Sequence, residues 1–98
     1  MIAGKTTSGF KFKIPDGLGE DFRLIKAYRD VRNGDEEQKV DAAISLVSVI
    51  FANDNEEKRF YEHLASKNGG RVPSTVLFKE LLEIVNIATE KDREAKNS

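Results

Sequence analysis

Cysteine is absent from this chain, and its absence excludes disulfides, thiolate metal sites and cysteine nucleophiles. Small secreted domains usually depend on disulfides, so the composition favours a reducing cytoplasm. The N-terminal residues contain no apolar segment of the signal-peptide kind. No apolar run approaches the about 18 residues that a membrane span requires. We therefore expect a soluble cytoplasmic protein that does not act at a membrane.

A strong excess of charge of one sign is also absent, because 16 Lys and Arg nearly balance 17 Asp and Glu in 98 residues. Nothing therefore marks the whole chain as a nucleic-acid or membrane binder. The charge is uneven along the chain, with a net charge of +3 over residues 1–32 and of -4 over residues 33–98. The length and the 39% hydrophobic content predict one globular domain over residues 1–98, with flexible ends at 1–8 and 91–98.

Catalytic and ligand-binding motifs are incomplete wherever they begin. Gly4-Lys5-Thr6 matches the end of a P-loop but has no glycine at the required upstream position. His63 is the single histidine, and no carboxylate stands three or four residues from it to complete a zinc site. The acidic runs that begin at Asp35 and Asp54 each open a predicted helix, where the helix dipole explains them. We therefore expect no enzymatic activity, no cofactor and no bound metal.

A strand is predicted over residues 10–14. Phe10, Phe12 and Ile14 alternate with Lys11 and Lys13, which places the apolar and the basic side chains on opposite faces. A lone strand leaves its backbone groups unpaired, so this segment needs a partner. That partner is either the segment 1–7, in a hairpin, or a strand of another chain.

Four helices are predicted after the strand, from apolar periodicity and from end signals. They cover residues 20–31, 35 to about 52, Asp54 or Asn55 to Lys67, and Ser74 or Thr75 to about 88, followed by a charged stretch that either extends the last helix or frays. The expected fold class is mainly α: a compact bundle of about four helices with a short N-terminal strand or hairpin. Spacing assigns these residues to the core faces of the first two helices: Phe22, Ile25, Tyr28 and Val31, and Val40, Ala43, Ile44, Val47, Ile50 and Phe51.

The order of these features resembles that of a known family. A Phe-x-Phe strand at Phe10 and Phe12 is followed by helices, then by the Gly-Arg-Val-Pro turn of residues 70–73, then by an amphipathic helix and a Lys-Asn-Ser end. This pattern is similar to that of the short tail assembly chaperones of long-tailed bacteriophages and prophages. The resemblance extends over nearly the whole chain.

The resemblance implies a non-catalytic helper in the cytoplasm of the bacterial host that is absent from the mature virion. Such chaperones bind the tape-measure protein and help to recruit tail-tube protein subunits, and we expect this chain to form a homo-oligomer. A groove between the second and fourth helices is a hypothetical client site. We hypothesise that an assembly or client surface contains Phe10, Phe12, Ile14, Arg71, Val72 and Pro73. In the alternative interpretation Phe10 and Phe12 belong to the core and Pro73 only precedes a helix.

A small dimeric DNA-binding regulator is the alternative function. Arg23, Lys26, Arg29 and Arg32 recur every three residues along the first predicted helix. On a helix with 3.6 residues per turn this row drifts around the surface, so it is typical of a solvated face. We therefore favour protein partners over nucleic acid.

Overall fold

The computed structural model describes residues 1–51 and 53–97 of the chain. Within these residues a two-stranded antiparallel hairpin precedes a 3-10 turn and four α-helices. The elements are β1 Ile2–Lys5, β2 Lys11–Ile14, the 3-10 turn Leu18–Glu20, α1 Phe22–Asn33, α2 Glu36–Ile50, α3 Asp54–Lys67 and α4 Ser74–Asn97. The predicted fold class is confirmed. The radius of gyration, 13.0 Å, is that of a compact chain of about 100 residues.

The two strands pair with each other inside the chain. Ile2 lies opposite Ile14, and Lys5 lies opposite Lys11. The strand predicted over residues 10–14 thus finds its partner in the N-terminal segment, as the hairpin alternative proposed. Ile2–Lys5 belongs to the segment expected to be a flexible end, and its backbone groups are held by β2. Gly9 closes the loop with φ of +94°, a conformation that favours glycine.

One face of the hairpin forms part of the core. Phe10, Phe12 and Ile14 are at most 2% exposed. The Phe10 ring packs edge-on against Phe60 at 5.3 Å and against Phe51 at 6.0 Å between ring centroids. Edge-to-face aromatic pairs contribute to stability beyond the area that they bury. The hairpin is therefore joined to α3 and to the end of α2 through aromatic contacts.

The face that α1 turns to the core differs from the predicted one. Leu24, Ala27 and Val31 are buried, whereas Phe22 is 73% exposed and Ile25 is 43% exposed. Residues at positions i, i+3 and i+7 share one face of a helix, and the three buried residues follow this spacing. The predicted stripe shared Val31 with this face but was wrong about Phe22 and Ile25.

The buried face of α2 is also rotated relative to the prediction. Val40 and Ile44, both assigned to the core, are 45% and 57% exposed. Leu46, which falls off the predicted face, is completely buried. The residues of α2 that face the core are Ala42, Ala43, Leu46, Val47 and Ile50. Two small alanines in this set permit close helix packing, so α2 contacts both α1 and α4.

Side chains cap the starts of α2 and α3. Asp35 accepts a hydrogen bond from the backbone N–H of Gln38, and the Gln38 side chain accepts one from the backbone N–H of Asp35, which forms a capping box. Asn53 caps α3 through its side-chain oxygen. The cap of α3 therefore lies just before Asp54 and Asn55, the two residues predicted for it.

α4 is the longest helix, with 24 residues, and it supports the hairpin. Its inner face buries Leu81, Ile84, Val85 and Ala88. A Cβ atom on Gly4 of β1 would lie 3.0 Å from Ile87 Cγ2, so the strand backbone approaches this helix closely. The helix continues through the charged stretch as far as Asn97. Of the two alternatives that the sequence left open, the charged stretch therefore extends the last helix.

A pH-dependent contribution to stability is expected from the start of α1. Asp21 accepts hydrogen bonds from the side chain and the backbone N–H of Arg23, and these bonds lower the pKa of Asp21. A carboxyl group whose pKa is lower in the folded state stabilises the fold above its unfolded pKa, and this contribution is lost as the pH falls through the folded pKa. We expect Asp21→Ala to lower the midpoint of thermal unfolding at about pH 7, and to lower it less at about pH 2.

Circular dichroism of both proteins at the two pH values checks this expectation. Asp21→Asn is the matched control, because its side-chain oxygen still accepts a hydrogen bond from the backbone but does not titrate. An equal loss in the alanine variant at both pH values would contradict a role for the carboxylate charge.

Candidate functional site

The residues predicted to form one interaction surface lie in two different environments. Phe10, Phe12 and Ile14 face the core, the position that the alternative interpretation gave to the two phenylalanines. Arg71 and Pro73 are exposed in the connection between α3 and α4, and Val72 is half-buried against the core. The structure therefore does not bring these six side chains together on one exposed surface.

Four large apolar side chains are exposed instead on α1 and α2. They are Phe22 and Ile25 on α1 and Val40 and Ile44 on α2, and we call the four together the apolar surface. Phe22 and Ile25 are spaced i, i+3, and Val40 and Ile44 are spaced i, i+4, so each pair shares one helix face. Phe22 is nearly three-quarters exposed, at 73%. An exposed apolar side chain of this size does not gain the free energy of burial. Several such side chains on one part of a protein are typical of a binding surface.

A groove lies between α1 and α2, and of the four residues Phe22 lines it. The groove has a volume of about 580 Å³, and its other apolar lining residues are Ala27, Ala42 and Val49. Its remaining lining residues are polar or charged: Arg23, Lys26, Asp30, Gln38, Asp41 and Ser45. The sequence hypothesis placed a client groove between the second and fourth helices. In the structure α2 and α4 contact each other, whereas the groove described here lies between α1 and α2.

Charges beside the groove are largely compensated. Arg23 pairs with Asp21 at 2.8 Å, and Lys26 pairs with Asp30 at 3.4 Å. Hydrogen bonding to Asp21 raises the pKa of Arg23 further above its ordinary value. Two members of the basic row of α1 are therefore neutralised by neighbouring carboxylates. This arrangement suits an uncharged apolar partner better than a polyanion.

A polar cluster forms where the hairpin loop meets α3 and α4. Glu80 of α4 is buried, with 5% exposure, and its Oε1 atom accepts hydrogen bonds from Thr6 Oγ1 at 2.5 Å and Ser8 Oγ at 2.7 Å. The Nε2 atom of His63, on α3, lies 3.0 Å from Ser8 Oγ. The neighbouring Thr7 donates hydrogen bonds through both its backbone N–H and its hydroxyl to Glu83, which lies one helical turn after Glu80 on α4.

The order of groups in this cluster differs from that of a nucleophilic triad. In a triad the histidine stands between the serine and the acid, so that it can take the hydroxyl proton. Here Ser8 stands between His63 and Glu80, and it donates its proton to the carboxylate. A hydroxyl has one proton, so His63 donates its Nε2–H to Ser8 in this arrangement. The cluster therefore ties the hairpin loop to two helices.

Residues 1–51 and 53–97 contain no group of three or more His, Asp or Glu side chains that could hold a metal ion. None of the helices in this part of the chain combines the length and the hydrophobicity needed to cross a membrane.

Comparison of the chain with protein-family models, with curated proteins and with solved structures finds no match.

Sequence reasoning missed the apolar surface although it noticed all four residues. Apolar periodicity shows that a helix has an apolar face, but it does not show what covers that face. In α1 two apolar rows compete, and the row that contains Leu24 and Ala27 is the one packed against the core. The signal that could have identified these exposed residues was a second apolar row on a helix that already has one apolar row for the core.

Proposed function

We propose that this protein is a tail assembly chaperone of a long-tailed bacteriophage or prophage that binds the tape-measure protein and helps to recruit tail-tube subunits. It acts without catalysis, in the cytoplasm of the bacterial host, as a homo-oligomer, and is not part of the mature virion. The observation that carries this proposal is the apolar surface of Phe22, Ile25, Val40 and Ile44, exposed on two adjacent helices.

The chemistry of this surface fits an amphipathic helix as its client. Such helices dock by inserting apolar side chains spaced i, i+3, i+4 and i+7 into an apolar groove. Phe22 offers an aromatic ring at the border of the groove between α1 and α2. Buried aromatic side chains often contribute most of the binding energy at protein interfaces. Covering the apolar side chains of a long client would keep that client soluble until assembly.

The family resemblance supports the identity of the client. The Phe-x-Phe strand, the Gly-Arg-Val-Pro turn and the Lys-Asn-Ser end occur in the order that the family leads us to expect. The mainly helical fold with an N-terminal hairpin is compatible with the same resemblance. These features support a phage assembly role, while the apolar surface supports the mode of binding.

Loss of client binding is the expected result of replacing Phe22 and Ile44 by serine. Each truncation of a central apolar anchor costs about 2 kcal/mol of binding free energy. The double variant should therefore recover at least about tenfold less tape-measure protein than the original chain after co-expression. The measurement is the amount of soluble tape-measure protein, encoded in the same phage genome, that co-purifies with the tagged chaperone.

The matched control replaces Lys67 and Lys79 by serine, because these are also exposed helical side chains but lie outside the apolar surface. Circular dichroism must show that both double variants are folded. Equal recovery with the two variants would show that the apolar surface is not the client site. No recovery with the original chain would contradict the chaperone function itself.

A DNA-binding regulator is the second candidate, and a specific feature favours it. Arg29 and Arg32 are exposed on α1, and Arg32 lies over the Tyr28 ring, 5.6 Å from its centroid. DNA binding of this kind depends strongly on salt, because cations are released from the phosphates. Retention on DNA at low salt that disappears in an Arg29→Gln, Arg32→Gln variant would favour the regulator over the chaperone.

A further inference from the structure

The outer face of the hairpin concentrates positive charge. We call it the lysine face, and its members are Lys5, Lys11 and Lys13, all exposed. Lys5 lies directly opposite Lys11 in the register of the two strands. Thr6 N donates to Phe10 O at 2.9 Å in the adjacent pair. Hydrogen-bonded and non-hydrogen-bonded pairs alternate, so the two lysines occupy a non-hydrogen-bonded pair, in which side chains come closest.

This arrangement is unfavourable for the isolated chain. Like charges directly opposite each other in an antiparallel pair destabilise the sheet. Lys13 lies diagonally across from Lys5 and adds a third charge to the same face. Within the residues that the structure describes, none of these three lysines forms an ion pair. Local conflicts of this kind are expected at functional sites, where a binding partner compensates them.

A depression beside the lysine face provides room for a partner. Its volume is about 770 Å³, and it lies between the hairpin and the first half of α3, where Asn53, Glu56 and Arg59 line it. Arg59 is paired with Glu56 at 2.8 Å, so its own charge is compensated. The uncompensated positive charge at this depression therefore comes from Lys5, Lys11 and Lys13.

The strand edges are less available than the face. Arg59 Nη2 donates to the carbonyl oxygen of Lys11 at 2.5 Å, and Lys91 Nζ donates to that of Ala3. Lys11 and Ala3 occupy non-hydrogen-bonded positions of the hairpin, so their carbonyl groups point away from the partner strand. Long basic side chains that cover a sheet edge hinder the addition of another strand. A partner is therefore expected to meet the face of the hairpin.

We propose that the lysine face binds a carboxylate-rich segment of a partner protein. The charge of the face requires an anionic partner, and one observation favours a protein over a nucleic acid. Phe10 and Phe12 are buried, so the aromatic rings of this hairpin are not available for stacking on bases. This proposal concerns a surface other than the apolar surface and does not depend on the chaperone function.

Binding of a synthetic acidic peptide tests the proposal. The probe is a fluorescent decapeptide of alternating glutamate and serine, and the control peptide has glutamine in place of glutamate. Fluorescence anisotropy at low salt should show saturable binding of the acidic peptide that weakens as salt is added. Lys11→Glu should weaken this binding at least about tenfold. The same substitution should raise the midpoint of thermal unfolding, because a glutamate then faces Lys5 across the hairpin.

Opposite changes in stability and binding distinguish a binding role from a structural one. Lys67→Glu makes the same change in net charge at an exposed position of α3 and should alter peptide binding less than about twofold. A Lys5→Glu, Lys11→Glu double variant restores like charges across the hairpin and should prefer a peptide of alternating lysine and serine. If Lys11→Glu fails to fold, Lys11→Gln replaces it in the comparison of stability with peptide binding.

Three outcomes would overturn the proposal. The first is a lack of saturable binding of the acidic peptide to the original chain at low salt. The second is an equal effect of Lys11→Glu and Lys67→Glu, which would indicate a response to net charge alone. The third is tighter binding of a single-stranded DNA decamer, or of phosphatidylserine vesicles, than of the acidic peptide, with loss of that binding in Lys11→Glu.

Discussion

A chain with alanine at both Phe10 and Phe12 is expected to be unfolded at 25 °C. Both side chains are at most 2% exposed, and the Phe10 ring packs against Phe60 and beneath the guanidinium of Arg59, which lies 4.5 Å from the ring centroid. Replacing a buried phenylalanine by alanine costs roughly 3–5 kcal/mol, through lost burial and the cavity left behind. Two such losses approach the entire stability of a small domain, which is roughly 5–15 kcal/mol.

Far-UV circular dichroism and light scattering together check this expectation. The matched control replaces Lys11 and Lys13 by alanine, because these residues alternate with the phenylalanines on the same strand but are exposed. The control should keep its helical signal and its cooperative thermal transition. If the double alanine variant is folded and differs only in the mass of its oligomer, the core placement of Phe10 and Phe12 is contradicted and the hypothesis of an assembly surface is restored.

Glu80→Ala is expected to lower the free energy of unfolding by about 3 kcal/mol. The carboxylate of Glu80 is buried and accepts hydrogen bonds from the hydroxyls of Thr6 and Ser8. Thr6 is itself only 3% exposed, so in a place that water does not reach easily its hydroxyl exchanges a carboxylate acceptor at 2.5 Å for the Ser8 hydroxyl at 3.2 Å. Buried donors without an acceptor are the main cause of such losses. Urea unfolding of the original chain and of the variant measures the difference.

Two further variants separate the hydrogen bonds from other effects of this substitution. Glu80→Gln keeps an acceptor oxygen and should lose less than half as much stability as the alanine variant. Glu90→Ala removes an exposed carboxylate of the same helix, paired with Arg93 at 3.7 Å, and should change the stability by less than about 0.5 kcal/mol. If all three variants were equally stable, the contacts between Glu80 and the loop would not hold the hairpin to α4.

Local signals explain why the helices were predicted well. Asn33 and Gly34 predicted the end of α1, and the helix ends at Asn33. Asp35 opens a capping box and begins α2 where the acidic run predicted it. These signals act within a few residues of the backbone groups that they satisfy, so they can be recognised along the chain. The hairpin was predicted only as one of two alternatives, because strand pairing depends on a second segment.

The candidate sites were less predictable because each depends on contacts between distant segments. The cluster of Ser8, His63 and Glu80 joins residues separated by 55 and 72 positions, and no local pattern relates them. On the lysine face, the alternation of Lys11 and Lys13 with aromatic residues was visible in the sequence. The approach of Lys5 to Lys11 was not, because it follows from the register of the two strands.

The apolar surface shows most clearly where the information in the sequence ends. By itself, the sequence determined that α1 and α2 are helices with apolar rows, because periodicity and caps are properties of a single segment. Only the tertiary structure decided that Leu24 and Leu46 are buried while Phe22 and Ile44 face solvent. The rotation of each helix is set by how closely its neighbours fit against it, and that fit depends on residues of several segments at once.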